Sequence, residues 1–301
     1  MDPANVEPHD VAAVIKAASP ELRADKDVML VAIKSAGPHM VNVLKLASES
    51  VLEDRNFIYD LITSEYGHHH ALLRHVAPAI AADREVVLAA MNHSCWAFRW
   101  AAEELKADRE LAMMAVSQKG CGALLGSVAK SLIGSAETTD TELVLAAVGT
   151  SCDALDYVEE LQADRNLMMA AIRVNGDCIE HIATDLKADR EIVAEAVSAP
   201  GYQLMHAAKE LQSDVGLIIG ELVGAGDKAY GVLGMVDRKL RESSRDIITA
   251  AVKEHGHCLK YASDELKDDE DLVLTAVWIT HFANVAGSII VPTNVWFEAI
   301  G

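Results

Sequence analysis

Aromatic residues make up only 5% of this 301-residue chain, while alanine is abundant, a balance that suits closely packed helices. Basic residues are also few: 26 Lys and Arg stand against 46 Asp and Glu, a formal net charge of −20. A nucleic-acid duplex or an anionic membrane would be repelled at long range, so neither is expected as a partner. Where charge decides, a basic protein partner is favoured. No apolar run approaches the roughly 18 residues that cross a bilayer, so membrane insertion is not expected. The opening MDPANVEPHD has no basic-then-apolar signal region. The five cysteines (Cys95, Cys121, Cys152, Cys178 and Cys258) form no C-x-x-C pair. An odd, scattered set reads as reduced thiols of a soluble intracellular protein, not as a disulfide framework or zinc knuckle. Catalytic signatures are missing as well: there is no G-x-S-x-G, Walker loop, H-E-x-x-H or dinucleotide glycine fingerprint. The chain reads as a non-enzyme with no cofactor.

What is present is a repeat. LRADKDVMLVAI, IAADREVVLAAM, LKADRELAMMAV, LQADRNLMMAAI and LKDDEDLVLTAV are versions of one motif. Its aspartate recurs as Asp25, Asp54, Asp83, Asp108, Asp140, Asp164, Asp189 and Asp214, then Ser244 in the same slot, then Asp269. The unit is about 25 residues, with insertions in some copies. The aspartate precedes an apolar run, where a short acceptor caps the free N–H groups of a starting helix. An acid often follows two residues later, favourable at the positive end of the helix dipole. Apolar residues three, four and eight after the cap define one face of this helix A. The seventh position is alanine in eight copies, implying close approach by a neighbour; Leu61 and Glu221 are the exceptions, so looser packing is expected at copies two and eight.

A turn follows, often with glycine (Gly37, Gly67, Gly120, Gly176, Gly201, Gly256), suiting a left-handed residue that ends a helix. Then comes a second segment such as CIEHIATDLK, with apolar spacing of three and four, read as helix B. Hairpins of this kind bury their faces only by stacking, so the predicted fold is an all-α solenoid of about ten helix-turn-helix repeats. Residues 1–20 would be an N-terminal capping helix, 21–280 the continuous repeat array, and 281–301 an apolar cap or interface tail, with fold-back over the last repeat favoured. The insertions IGSAETT (133–139) and GAGDKAYG (224–231) would be loop bulges or longer helices. Copy eight, with Gly224, Gly226, Gly231 and Gly234, is the expected bend.

The pattern L-x-x-D-R-E-V-V-L-A-A-V, a glycine turn, then A-L-x-Y-A-S-x-x-L resembles the helical repeat catalogued as domain of unknown function 4116. Residues 80–106, 161–189, 186–214 and 240–268 carry it best, and it runs over about 20–280. The resemblance implies a helical repeat fold and no activity.

Three groups stand out as candidate sites. His39 and His68 share one turn slot in adjacent copies, and His69 and His70 follow, so imidazoles could converge on a metal ion; a solvated polar turn is the plainer reading. A helix-B slot five residues before its terminal Leu or Ile holds His75, Trp100, Asp156, His181, His206 and Tyr261. Equal slots in stacked repeats form a ladder, which is one way such proteins present a binding face. For any single member, a half-buried aromatic with its tip in water is the simpler account. Trp296 and Phe297 mark the apolar tail as a possible contact for a partner or for self-association. A basic residue after the cap (Lys26, Arg55, Arg84, Arg109, Arg165, Arg190, Arg245) opposes the helix dipole, so it should reach an acid of a neighbouring copy and be structural. The expected function is a protein-interaction scaffold or adaptor; the alternative is a metal or small-ligand binder using turn histidines or an inter-repeat pocket.

Overall fold

A computed structural model describes residues 8–64, 71–134, 139–199 and 203–285, with the side chains of 8–10 and 282–285 excepted. The described residues are all-α, with no strand among them. The chain divides into two compact units, Met1–Leu161 and Gln162–Gly301.

Each copy begins as its cap slot requires. The side chain of all ten cap residues, from Asp25 to Asp269, accepts the backbone N–H three residues on. That bond satisfies one of the orphan donors at a helix start. Helix A of copy three (Arg84–His93) packs on that of copy two (Arg55–Thr63), and copy five (Thr141–Thr150) on copy four (Arg109–Val116). In the second unit, copies six (Arg165–Val174) and seven (Arg190–Ala196) pack together, as do nine (Arg245–Glu254) and ten (Glu270–Val285). An N-terminal helix, Pro8–Ala17, packs on the first helix A, Lys26–Ala36. The alanine of slot seven is buried throughout, from Ala32 to Ala276.

The segment expected as helix B differs. In most copies it is a 3-10 helix followed by one short turn: Cys95–Trp100 then Glu103–Lys106, Cys152–Tyr157, and Gly256–Tyr261 then Asp264–Lys267. The cause is visible in which residues are buried. Cys95, Phe98 and Ala101 are inside, as are Cys152, Leu155 and Val158. Ala97 and Ala154 are inside as well, but the spacing of three that runs through each set matches the three residues per turn of a 3-10 helix. Copies one and eight use short α-helices, Met40–Leu44 and Ala229–Met235.

The turn glycines also divide. Gly37 and Gly120 have positive φ, 50° and 76°, and fit the left-handed reading. Gly176 and Gly256 do not. They are small because the next copy lies on them: a Cβ on Gly256 would meet the Ala276 carbonyl oxygen at 2.3 Å, and one on Gly176 the Ala196 carbonyl oxygen at 2.9 Å. Gly122 faces the Ala147 carbonyl oxygen in the same way, at 2.2 Å. The small turn residue of one copy therefore sits on the slot-seven alanine of the next. Gly67 and Gly201 lie outside the described residues.

Looser packing at the two odd slot-seven residues is not found. Leu61 is 1% exposed and Glu221 3%. The Glu221 carboxylate accepts the Leu204 N–H at 3.0 Å, and its burial pushes the carboxyl above the ordinary glutamate range against that hydrogen bond.

Basic residues after the caps do bridge copies. Arg55 reaches Asp83 at 2.6 Å, Arg165 reaches Asp189 at 2.7 Å, and Arg190 and Arg245 reach Asp214 and Asp269 at 3.0 Å. Arg55, Arg84 and Arg165 also bond the acid two residues beyond the next cap. Asp54, Asp83, Asp108, Asp140, Asp189, Asp214 and Asp269 thus each hold their own helix start and the preceding copy's cation. Side-chain bonds from Arg55, Arg109, Arg165 and Arg190 hold Asp83, Asp140, Asp189 and Asp214 below the usual carboxylate range.

Candidate binding surface

The 3-10 segments set where the ladder lies. Three residues per turn carry Cys95, Phe98 and Ala101 inward, with Ala97 beside them, and leave the last residue of the segment at the rim. His75, Trp100, His206 and Tyr261 each end a 3-10 segment, and His181 caps one. All five are half-buried. In copy five the equivalent residue is Tyr157, not Asp156: the 3-10 helix Cys152–Tyr157 ends one residue later than the count back from Leu161 implies. Tyr157 is 54% exposed, and its ring lies over Gly126, where a Cβ would come within 2.3 Å. Counting forward from the cap, by seventeen, finds Trp100, Tyr157, His181, His206 and Tyr261 together. That signal was available in the sequence.

Cations stack on the ladder in both units. In the first, the Arg74 guanidinium lies 5.0 Å from the Trp100 ring centroid and the Arg99 guanidinium 5.9 Å. Burial lowers the pKa of His75, and the charges of Lys45 and Arg74 lower it further, so its imidazole is neutral near pH 7. In the second unit, Tyr261 meets Arg241 at 4.8 Å and Lys260 at 4.9 Å, while Lys260 lies 3.9 Å from the Tyr230 ring. Tyr230 and Tyr261 are edge-to-face with centroids 5.1 Å apart, and His255 stands 6.2 Å from Tyr230. Sequence reading missed Arg74, Arg99, Tyr230 and Arg241, because only the folded chain brings them to the ladder. An open groove of about 540 Å³ lies beside this second cluster, lined by Leu259, Lys260, Lys267, Val277 and His281 among others. Val277 is 59% exposed, whereas the same slot is buried in every other copy, from Ile33 to Val252.

The other candidates are less complete. His39 ends the short 3-10 turn Gly37–His39 and is half-buried, but His68, His69 and His70 lie outside the described residues. So do Trp296 and Phe297; of the tail expected at 281–301, residues 281–285 continue helix A of copy ten. The reading of reduced thiols is overturned at Cys95 and Cys121, which form a disulfide with Cα atoms 6.5 Å apart. Two turn cysteines of adjacent copies meet because the copies stack in register. Cys258 is free and buried, and burial pushes its thiol up to about 11. It stays protonated at neutral pH and is no nucleophile.

Three segments of the chain, residues 83–132, 140–187 and 244–277, match the family described as Domain of unknown function (DUF4116). Each match begins on a capping residue: Asp83, Asp140 or Ser244. These three segments are similar to DUF4116 repeats. No curated protein and no solved structure matches it. Of the ladder, Trp100, Tyr157, His181 and Tyr261 fall within the matched segments, each behind its cap residue, whereas His75 and His206 lie outside them. No described helix is long and apolar enough to cross a membrane.

Proposed function

We propose that this chain is a non-catalytic protein-interaction scaffold that presents the 3-10 ladder to a partner. One observation carries the reading: half-exposed aromatics recur at one structural position, with arginine or lysine stacked on Trp100 and Tyr261, and these residue types dominate the energetic centres of protein interfaces. Within each unit, a repeated slot gives a partner several anchors without any single deep pocket. The formal charge of −20 favours a basic partner over most of the remaining surface. The test is a paired capture from an extract of the source organism, with the wild-type chain and a Trp100→Ala/Tyr157→Ala/Tyr261→Ala variant, read by mass spectrometry. A stoichiometric protein held by the wild type and lost by the variant supports the scaffold; identical captures refute a role for the ladder.

The groove beside Lys260 favours a second reading, a small-ligand binder, since its volume lies within the usual range for ligand sites. A ligand that raises the melting temperature of the wild type but not of Lys260→Ala would establish it.

A further inference from the structure

In a chain so rich in carboxylates, an exposed arginine without one is conspicuous. Every other exposed arginine forms an ion pair: the cap series does so between copies, and Arg173 and Arg238 do so locally. Arg74 and Arg99 are exposed and have no carboxylate partner among the described residues. Both instead lie against the same ring, Trp100, at 5.0 and 5.9 Å. Lys45 is exposed as well, and its charge and that of Arg74 both act on His75, the neighbouring rung. Arg74 and Arg99, from two successive copies of the first unit, therefore share one half-buried tryptophan, and Lys45 of the copy before them acts electrostatically on the adjoining His75.

Stacking uses the face of a guanidinium and leaves the N–H donors of its edge free. A planar cation held on a ring is pre-organised to grip a carboxylate through two parallel hydrogen bonds. Trp100 adds an apolar surface for whatever flanks that carboxylate. A basic or neutral partner would leave both guanidinium groups desolvated and unpaired, at a cost that selects against it.

We propose that the Arg74–Trp100–Arg99 cluster, with Lys45 and His75, binds an acidic segment of a protein partner, rich in Asp or Glu and carrying an apolar or aromatic side chain beside them. The inference rests on the scaffold reading and names the partner chemistry for the first unit's part of the ladder. The charges of Arg74, Arg99 and Lys45 are opposite in sign to that of the chain as a whole. Long-range repulsion then keeps polyanions away, while a short acidic segment that reaches the cluster is held by it.

The test uses the full chain and a fluorescein-labelled peptide of alternating Glu and Phe, with its Lys-for-Glu counterpart and a single-stranded oligonucleotide as comparisons, read by anisotropy. The Glu peptide should bind; Arg74→Gln/Arg99→Gln should weaken it by about tenfold or more, a loss of about one strong charged contact. Arg74→Lys/Arg99→Lys should recover part of the affinity, since charge returns without the planar fork. A matched charge change elsewhere, Lys119→Gln/Lys130→Gln, should leave binding unaltered. Both arginines are exposed, so an unchanged melting temperature verifies that the Gln variant is folded. Equal binding by the Gln variant overturns the proposal, as does equal binding of the Lys peptide. Tighter binding of the oligonucleotide through the same arginines would also overturn it, in favour of a nucleic-acid site. Loss of this proposal alone would leave the capture of a partner through Tyr157 and Tyr261 intact, whereas failure of the scaffold reading would remove both.

Discussion

A single methyl group tests how the copies meet. A Cβ placed on Gly122 would lie 2.2 Å from the Ala147 carbonyl oxygen, 2.9 Å from Thr150 Oγ1 and 3.0 Å from the Ser151 nitrogen. Two of those three neighbours are backbone of the next copy, so no rotamer change relieves the contact. The 3-10 segment would have to withdraw by roughly 1 Å, opening the seam that buries Leu124 and Leu125. Overpacking of this kind costs about 1–3 kcal/mol, and more where backbone must move. A unit of this size loses about 2–4 °C of melting temperature per kcal/mol, so Gly122→Ala should fall by about 3–10 °C. The control is Gly234→Ala, near the end of the helix Ala229–Met235, where nothing lies within 4 Å of the added carbon and φ is not positive. Alanine there should be neutral or stabilising by up to about 1 kcal/mol. Far-ultraviolet circular dichroism melts of both variants decide the matter. If Gly122→Ala melts with the wild type, the turn-to-helix contact is wrong.

Gly256→Ala, with its Cβ 2.2 Å from Thr280 Oγ1, should show the same loss in the second unit, read by hydrogen exchange in residues 256–280. The cap aspartates Asp83, Asp140, Asp189 and Asp214 are held low by the preceding copy's arginine. Their stabilisation is therefore fully present above the ordinary aspartate value of about 4 and is lost as pH falls through the lowered folded value. An acid titration followed by melting should show this loss, and Arg109→Gln should reduce it; identical acid limbs would refute the inter-copy ladder. Glu221 behaves in the opposite sense: its raised folded value means that its contribution is lost as pH rises through that value, so Glu221→Gln should flatten that part of the stability profile while keeping an acceptor for Leu204. Reducing the Cys95–Cys121 disulfide, which closes a loop of 26 residues, should cost about 3–4 kcal/mol, checked by urea unfolding with and without reductant.

Much of the fold was legible in the sequence because its determinants are local. The cap aspartate acts on an N–H three residues away, and slot-seven alanine and the face at three, four and eight state the helix period directly. The cross-copy arginines were legible as well, since a base at a helix start has no good local partner. The 3-10 segments were not, because spacings of three and four overlap over six residues and only burial separates them. That ambiguity also placed Asp156 on the ladder instead of Tyr157. The glycines misled for a related reason: a left-handed turn and a close approach by another copy both demand a missing side chain, and only the fold distinguishes Gly120 from Gly256. The cluster around Trp100 was legible only in part. Trp100 stood in the repeat, but Arg74 reaches it from the preceding copy, and that Arg74 and Arg99 pair with no carboxylate among the described residues is a property of the folded chain.

Placing a photo-reactive side chain on the ladder tests the account most directly. Trp100→p-benzoylphenylalanine and Tyr157→p-benzoylphenylalanine, each irradiated in an extract of the source organism, should cross-link to one and the same protein. Arg84→p-benzoylphenylalanine, on the cap edge, should not. Cross-links from the cap edge alone, or none from the ladder, would contradict the scaffold reading.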